Sequence, residues 1–268
     1  MKTPAEIAKS YVTAGTAKAN QSLVNTFLLS ILAGMFIGLG AVAANTVGAT
    51  VESGSLAKLL GAMVFPGGLA MVILAGSELF TGNCLLIIPL LEKQINALQV
   101  LRNWVIVWIG NFVGGIITAA ITVYSHQPSL FSDAVALTHI STAAAKCSLS
   151  FSDAFLKGIG CNFLVCIAVW MTFAATDAAG KVVALYLPIL MFVLIGFEHS
   201  VANMTYITLG IFASGEYADV ASSLDLSALN WANFFTANLI PVTLGNIVGG
   251  SIFVGLVYWR TYLYKSGE

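Results

Sequence analysis

The stretch GSELFTGN at residues 76–83 decides the fold of this chain, because it returns as GFEHSVAN at residues 196–203. Both copies read G-x-E-x-x-x-x-N, and each lies within a long apolar segment. A carboxylate or an amide in the hydrocarbon core of a membrane is costly unless it has a partner. Its repetition at matching places predicts two interrupted helices that face one shared site near the middle of the membrane, an arrangement typical of transport pathways.

The composition is that of an integral membrane protein. Hydrophobic residues make up 58% of the chain and charged residues 9%, with a mean hydropathy of +0.91, whereas soluble domains carry about 25% charged residues. The formal net charge of −1 excludes a nucleic-acid-binding protein, because no basic face is available to neutralise phosphates. Because of its apolar composition, we expect the chain to have the lipid bilayer as a partner.

The cysteines and histidines do not indicate a cofactor. The cysteines lack the spacing of a disulfide framework, a zinc site or a redox pair, so we interpret them as packed apolar side chains. They are Cys84, Cys147, Cys161 and Cys166. Of the three histidines, His126 and His139 fall in a predicted loop, so no span carries the paired histidines of a redox subunit. The sequence predicts no metal, no cofactor and no enzyme.

Six hydrophobic blocks are long enough to span a membrane as helices. They cover roughly residues 26–48, 57–90, 103–125, 151–175, 183–213 and 233–263. The second and fifth blocks are too long for one straight span, and they contain the two octets. Each is predicted to be a half-helix, a short break and a second half, which lipid tolerates only where protein covers the break or the break lines a cavity.

A second repeat supports the first one, because GNFVGG at residues 110–115 in the third block matches GNIVGG at residues 245–250 in the sixth. Its glycines are expected to let helices pack closely. Three spans per repeat is an odd number, so the second copy must enter the membrane from the opposite side. The predicted fold class is therefore an all-α membrane protein with a 3+3 inverted repeat and broken helices in spans two and five.

The distribution of basic residues predicts the orientation. With both termini in the cytoplasm, eight basic residues lie inside, Lys265 among them, and three lie outside, as the positive-inside rule requires. We expect a cytoplasmic amphipathic segment at residues 1–25, without the features of a cleavable signal peptide. One transmembrane channel domain follows at 26–263, with repeats at about 26–125 and 151–263, and a cytoplasmic tail at 264–268.

His199 is the only histidine in an apolar span, and it lies at the second predicted break. Imidazole exchanges protons near neutral pH, so His199 suits a proton relay or a gate. A neutral histidine that bonds a neighbouring helix is the alternative. Thr81 lies at the first break, opposite His199, where its hydroxyl contacts either a solute or a backbone carbonyl.

Two carboxylates and two asparagines occupy equivalent places in the two octets, which favours a shared structural task. They are Glu78, Asn83, Glu198 and Asn203. A carboxylate beside a helix break can accept the backbone N–H groups that the break exposes, and an asparagine both donates and accepts. We expect these four residues to support the breaks. Direct contact with an ion is the alternative, although two acids in a pore would favour cations.

Lys146 precedes the fourth block, where an ammonium group attracts anions into a vestibule or anchors the chain at the interface. Large apolar side chains on the broken spans either form a dewetting constriction of a pore or simply pack. These are Phe65, Leu69, Phe80 and Phe192.

The two octets, together with NLIPVTLGN at residues 238–246 and CNFLVCIAVW at residues 161–170, resemble the formate/nitrite transporter family from about residue 5 to 262. The resemblance implies an aquaporin-like protomer of a homopentamer in the bacterial inner membrane. It implies passage of formate, nitrite or hydrosulfide. It also implies Leu69, Phe65 and Phe80 on a cytoplasmic-side constriction and Phe192 on an outer one, with Thr81 on a mobile loop, His199 at the pore centre and Lys146 in the outer vestibule.

We also expect protons as partners of the transported anion. Transfer of a bare carboxylate from water into a slit of low dielectric constant carries an idealised free-energy penalty on the order of 20 kcal/mol. We expect passage of a weak-acid anion, most of all formate, with His199 as proton donor. A pH-independent anion channel is the alternative within this architecture. An aquaporin-like pore for neutral solutes would carry Asn-Pro-Ala at the breaks, but Cys84 follows Asn83 and Met204 follows Asn203.

Overall fold

A computed structural model describes residues 1–264 of the 268-residue chain. Within this range the chain forms helices and connecting turns, and no strand. The helices are α1 Pro4–Ala19, α2 Leu23–Gly48, α3 Gly54–Val64, α4 Pro66–Ala75, α5 Phe80–Asn83, α6 Ile87–Leu91, α7 Ala97–Tyr124, α8 Ala134–Cys147, α9 Phe151–Thr172, α10 Ala178–Ile195, α11 Ser200–Glu216, α12 Ala218–Ala221, α13 Trp231–Asn233, α14 Ile240–Ile247 and α15 Val257–Tyr262. This confirms the all-α prediction.

Six helical segments of the described chain are long and apolar enough to cross a membrane. They are Leu23–Gly48, Gly54–Ala75, Ala97–Tyr124, Phe151–Thr172, Ala178–Ile195 and Trp231–Tyr262. The last one continues from α13 to α15 through two π-helical stretches, Phe234–Leu239 and Val248–Leu256. The number of spans matches the prediction, and the inverted topology stays a prediction.

The two octets break the second and fifth spans, as predicted. The helix α4 ends at Ala75 and the chain turns helical again at Phe80, while α10 ends at Ile195 and α11 begins at Ser200. The backbone angle φ is +77° at Gly76 and +82° at Gly196. Only glycine adopts this left-handed conformation without steric strain, so the first residue of each octet ends its half-helix.

The glycines of the second repeat allow close helix packing. A Cβ atom added at Gly114 in α7 would overlap the carbonyl oxygen of Ile31 in α2. A Cβ atom added at Gly249 would overlap the carbonyl oxygen of Ile159 in α9. The third span therefore lies directly against the first and the sixth directly against the fourth, which brings the asparagine of each GNxVGG motif next to a break.

The regions outside the spans are more ordered than a simple loop. Residues 125–150 contain α8, in which His139 is buried and its Nδ1 atom lies 2.9 Å from Nδ2 of Asn45. Burial lowers the pKa of His139 to about 4. The N-terminal segment folds as α1, which buries Tyr11. The domain boundaries at 1–25 and 26–263 stay predictions, and residues 265–268 of the expected tail, Lys265 included, lie outside the described residues.

Candidate functional site

The centre of the site is a contact between the two broken spans. Nε2 of His199 lies 2.9 Å from Oγ1 of Thr81, and both residues are buried. His199 is also the N-cap of α11, because its Nδ1 atom accepts the backbone N–H of Ala202 at 3.0 Å. Since Nδ1 acts as the acceptor, a neutral ring carries its proton on Nε2 and donates it to Thr81. The structure thus places the two residues opposite each other, as predicted.

Asparagines from the GNxVGG motifs hold the broken backbone. Oδ1 of Asn111 accepts the N–H of Phe80 at 2.9 Å, and its Nδ2 donates to the carbonyl oxygens of Ser30 and Glu78. Each break thereby receives an acceptor for its exposed N–H group and a donor for an exposed carbonyl. The sequence reasoning used these motifs only for their glycines and missed their asparagines.

The second break has the same set of bonds. Oδ1 of Asn246 accepts the N–H of Ser200 at 2.9 Å, and its Nδ2 donates to the carbonyl oxygens of Gly158 and Glu198 at 2.8 and 3.1 Å. Asn111 and Asn246 are both fully buried. A matching pair of asparagines could have been sought in the repeat, because a buried break leaves backbone groups that need partners.

The carboxylates of the octets bind side chains, and the expectation that they accept backbone N–H groups is wrong for the hydrogen bonds within residues 1–264. Nζ of Lys146 donates to both carboxylate oxygens of Glu198 at 2.9 Å. Asn203 Nδ2 donates to Oε2 of the same carboxylate at 2.6 Å. A buried charge needs such partners, so the carboxylate fixes a lysine and an asparagine beside the break rather than capping the backbone.

The first break repeats this arrangement with a lysine from α1. Lys18 Nζ donates to Oε1 of Glu78 at 2.7 Å, and Asn83 Nδ2 donates to Oε2 at 2.7 Å. Asn83 also binds Asn103, as Asn203 binds Asn238. Sequence reasoning missed Lys18, Asn103 and Asn238, because they lie far along the chain from the octets that they contact.

Two cavities reach toward the centre, and we name each one after its paired lysine. The Lys146 vestibule, about 280 Å³, is lined by Lys146, His199, Phe65 and Phe192 among others. The Lys18 vestibule, about 540 Å³, is lined among others by Lys18, Glu78, Leu69, Tyr11 and Gly82. His199 lines the Lys146 vestibule and Gly82, the neighbour of Thr81, lines the Lys18 vestibule, so the bonded pair of His199 and Thr81 lies between the two cavities.

The apolar candidates separate into three positions. Phe65 and Phe192 meet edge to face, with ring centroids 5.5 Å apart and an angle of 89° between their planes, and Phe192 also stacks on His199. Leu69 faces the other vestibule. Phe80 packs against Trp104 and lines neither vestibule. The constrictions that the resemblance implied, with Leu69, Phe65 and Phe80 on the cytoplasmic side and Phe192 on the outer side, stay predictions.

The profile of a family described as Formate/nitrite transporter matches residues 5–260. The chain is 41% identical over 283 residues to a probable formate transporter of Methanothermobacter thermautotrophicus, and the match covers 98% of this chain and 97% of the relative. The family and this relative are both described as transporters.

Two solved structures share the fold. One is described as an FNT family ion channel, with a TM-score of 0.85, 31% identity, and coverage of 96% of this chain and 98% of that chain. The other is a pentameric formate channel with formate bound, with a TM-score of 0.79, 37% identity, and coverage of 90% and 98%. Together with the six apolar segments, these likenesses indicate a multi-pass membrane protein.

Proposed function

Because the chain belongs to the formate/nitrite transporter family, we propose that it passes small monovalent weak-acid anions, most of all formate, as a pH-dependent, proton-coupled channel. The observation that carries the proposal is the bonded pair of His199 and Thr81 between two lysine-bearing vestibules. A formate transporter and a formate-bound channel among the similar proteins support formate. Nitrite and hydrosulfide are the alternative substrates.

The apolar side chains near the pair of His199 and Thr81 make the passage of a charged anion costly, and this cost is the reason to propose proton coupling. Phe65, Leu69 and Phe192 are each at most 3% exposed, and all three line the vestibules. A bare carboxylate in such a slit meets a penalty that is on the order of 20 kcal/mol in the idealised limit. The neutral acid avoids most of this penalty, so protonation before the slit and deprotonation after it permit passage.

In this proposal Lys146 holds the anion and His199 supplies the proton. An ammonium group has three donors, and the bonds to Glu198 occupy two of them, which leaves one N–H for an anion. Thr81 orients the anion. For His199 to carry a second proton, Nδ1 must release the N–H of Ala202, and loss of such a cap costs about 1 kcal/mol. Protonation of His199 is therefore coupled to fraying of the α11 N-terminus.

The engaged Nδ1 atom also favours a second candidate, a pH-independent anion channel in which His199 stays neutral and only donates from Nε2. The two candidates differ in their response to pH. In the first, anion flux rises as the medium becomes more acidic; in the second, the flux follows the anion gradient alone.

Flux measurements on the purified protein in liposomes test the proposal. Formate, nitrite, acetate and hydrosulfide are compared at about pH 7.5 and about pH 5.5, on either side of the histidine range. We expect the largest flux for formate and acceleration at the acidic pH. In His199→Phe the acceleration should vanish, whereas His126→Asn, an exposed histidine, should behave as the wild type. Wild-type rate and pH dependence in His199→Phe would exclude the relay.

We further propose a homopentamer in the bacterial inner membrane with both termini in the cytoplasm, an orientation that the distribution of basic residues favours. One solved structure of similar fold is a pentamer. Native mass spectrometry of the detergent-solubilised protein should give a mass of five chains. Reporter fusions at the N- and C-terminus should both indicate a cytoplasmic location. A monomer, or a periplasmic reporter at either end, would contradict this part of the proposal.

A further inference from the structure

The charge of the Lys146 vestibule does not come from Lys146. Its ammonium group is bound to both oxygens of Glu198, so this pair contributes one positive and one negative charge. One other charged side chain lines the cavity, Lys58 at the start of α3. Within residues 1–264 the Lys58 side chain takes part in neither an ion pair nor a hydrogen bond. The uncompensated positive charge of this vestibule therefore belongs to Lys58.

The Lys18 vestibule likewise has positive charge beyond that of its ion pair. Lys18 is bound to Glu78 at 2.7 Å, which cancels its charge. Lys2 and Lys181 line the same cavity, and Lys2 Nζ donates to the hydroxyl oxygen of Ser10 at 2.9 Å. The side chain of Lys181 has no ion pair or hydrogen bond in the part of the chain that the structure describes. Each vestibule thus contains one bound lysine beside the break and at least one lysine without a countercharge.

Lys58 and Lys181 occupy related positions in the two broken spans. Lys58 lies eighteen residues before Gly76, and Lys181 lies fifteen residues before Gly196. The difference is less than one helical turn. Each lysine stands within the first turns of the leading half-helix, α3 or α10, where the helix dipole disfavours a positive charge. Local helix energetics does not explain this placement, which occurs twice, each time with the lysine lining a cavity.

We propose that Lys58 and Lys181 are docking residues for the anion, one in each vestibule. Their charge concentrates small monovalent anions in a funnel whose walls are largely apolar, and such focusing raises the rate of capture. The bound lysines, Lys146 and Lys18, receive the anion only after it has entered. This inference rests on the proposed passage of anions, and it assigns the capture step to residues outside the octets.

Formate flux at several concentrations tests the assignment, in vesicles with a defined orientation of the protein. Lys58→Gln should raise the half-saturating formate concentration about tenfold for flux that starts from the Lys146 vestibule, with the maximal flux unchanged. Lys58→Arg keeps the charge and should restore the wild-type value. Lys181→Gln should have the corresponding effect on flux from the Lys18 vestibule. Added salt should reduce the difference from wild type, because it screens an exposed charge.

Lys9→Gln is the matched control, since Lys9 is exposed on α1 and lines neither vestibule. If Lys58→Gln and Lys181→Gln both stay within about twofold of Lys9→Gln in each direction, the docking assignment is wrong while the channel function stands. If Lys58→Gln slows flux equally from both sides, Lys58 acts on the pore as a whole and the assignment is also wrong. A wild-type protein without anion flux above protein-free vesicles would instead overturn the proposed function.

Discussion

Replacement of Asn246 by alanine should destabilise the protein by removing three buried hydrogen bonds at once. Asn246 is fully buried, and it binds the N–H of Ser200 and the carbonyl oxygens of Gly158 and Glu198. Such bonds contribute about 1 kcal/mol each in water-soluble proteins and about 0.6 kcal/mol each within membranes. The expected loss in the free energy of unfolding is therefore between about 2 and about 3 kcal/mol.

The assay is equilibrium unfolding in mixed micelles by titration with sodium dodecyl sulfate. Asn111→Ala provides a replicate within the same chain, because Asn111 makes the corresponding three bonds at the first break, and it should lose a similar amount. Asn25→Ala is the control, since Asn25 is exposed on α2 and its side chain makes no hydrogen bond among the described residues. Losses at Asn246 and Asn111 no larger than that of Asn25→Ala would refute the account of how the breaks are held.

Two further predictions concern stability. Gly196→Ala places a Cβ atom on a residue with a φ of +82° and should cost about 1 to 2 kcal/mol, while Gly215→Ala, in open space on α11, should be neutral or stabilising; equal effects in the same unfolding assay would contradict the strain argument. His139 has a pKa lowered to about 4 by burial, below its unfolded value of about 6.5. Its neutral form therefore supports the fold fully above about pH 6.5, and up to about 3 kcal/mol is lost as the pH falls from 6.5 to 4. His139→Gln should flatten this pH profile of the unfolding free energy, and an unchanged slope would show that other groups cause it.

The sequence was sufficient for the spans and the breaks because both are local properties. Span length follows from hydropathy, and the octet glycine marks the break because glycine accepts the φ of +77° at Gly76 without steric strain. The opposition of Thr81 and His199 followed from the repeat itself. The partners of the breaks were not predictable in this way. Phe80 and Asn111 are 31 residues apart and Lys18 and Glu78 are 60 apart, so helix packing decides these contacts.

The asparagine bonds at each break also bear on the order in which the protein assembles. The groups that Asn111 binds belong to residues 30, 78 and 80, and those that Asn246 binds belong to residues 158, 198 and 200. Each half of the chain therefore contains both the asparagine and the backbone groups that this asparagine binds, so these bonds can form before the other half is present. During synthesis, the first three spans can therefore lie in the bilayer with hydrogen-bond partners for the backbone groups that Asn111 binds. The bond between Thr81 and His199, like the one from Nδ2 of Asn162 to the carbonyl oxygen of Thr81, joins the two halves and requires both of them to be present.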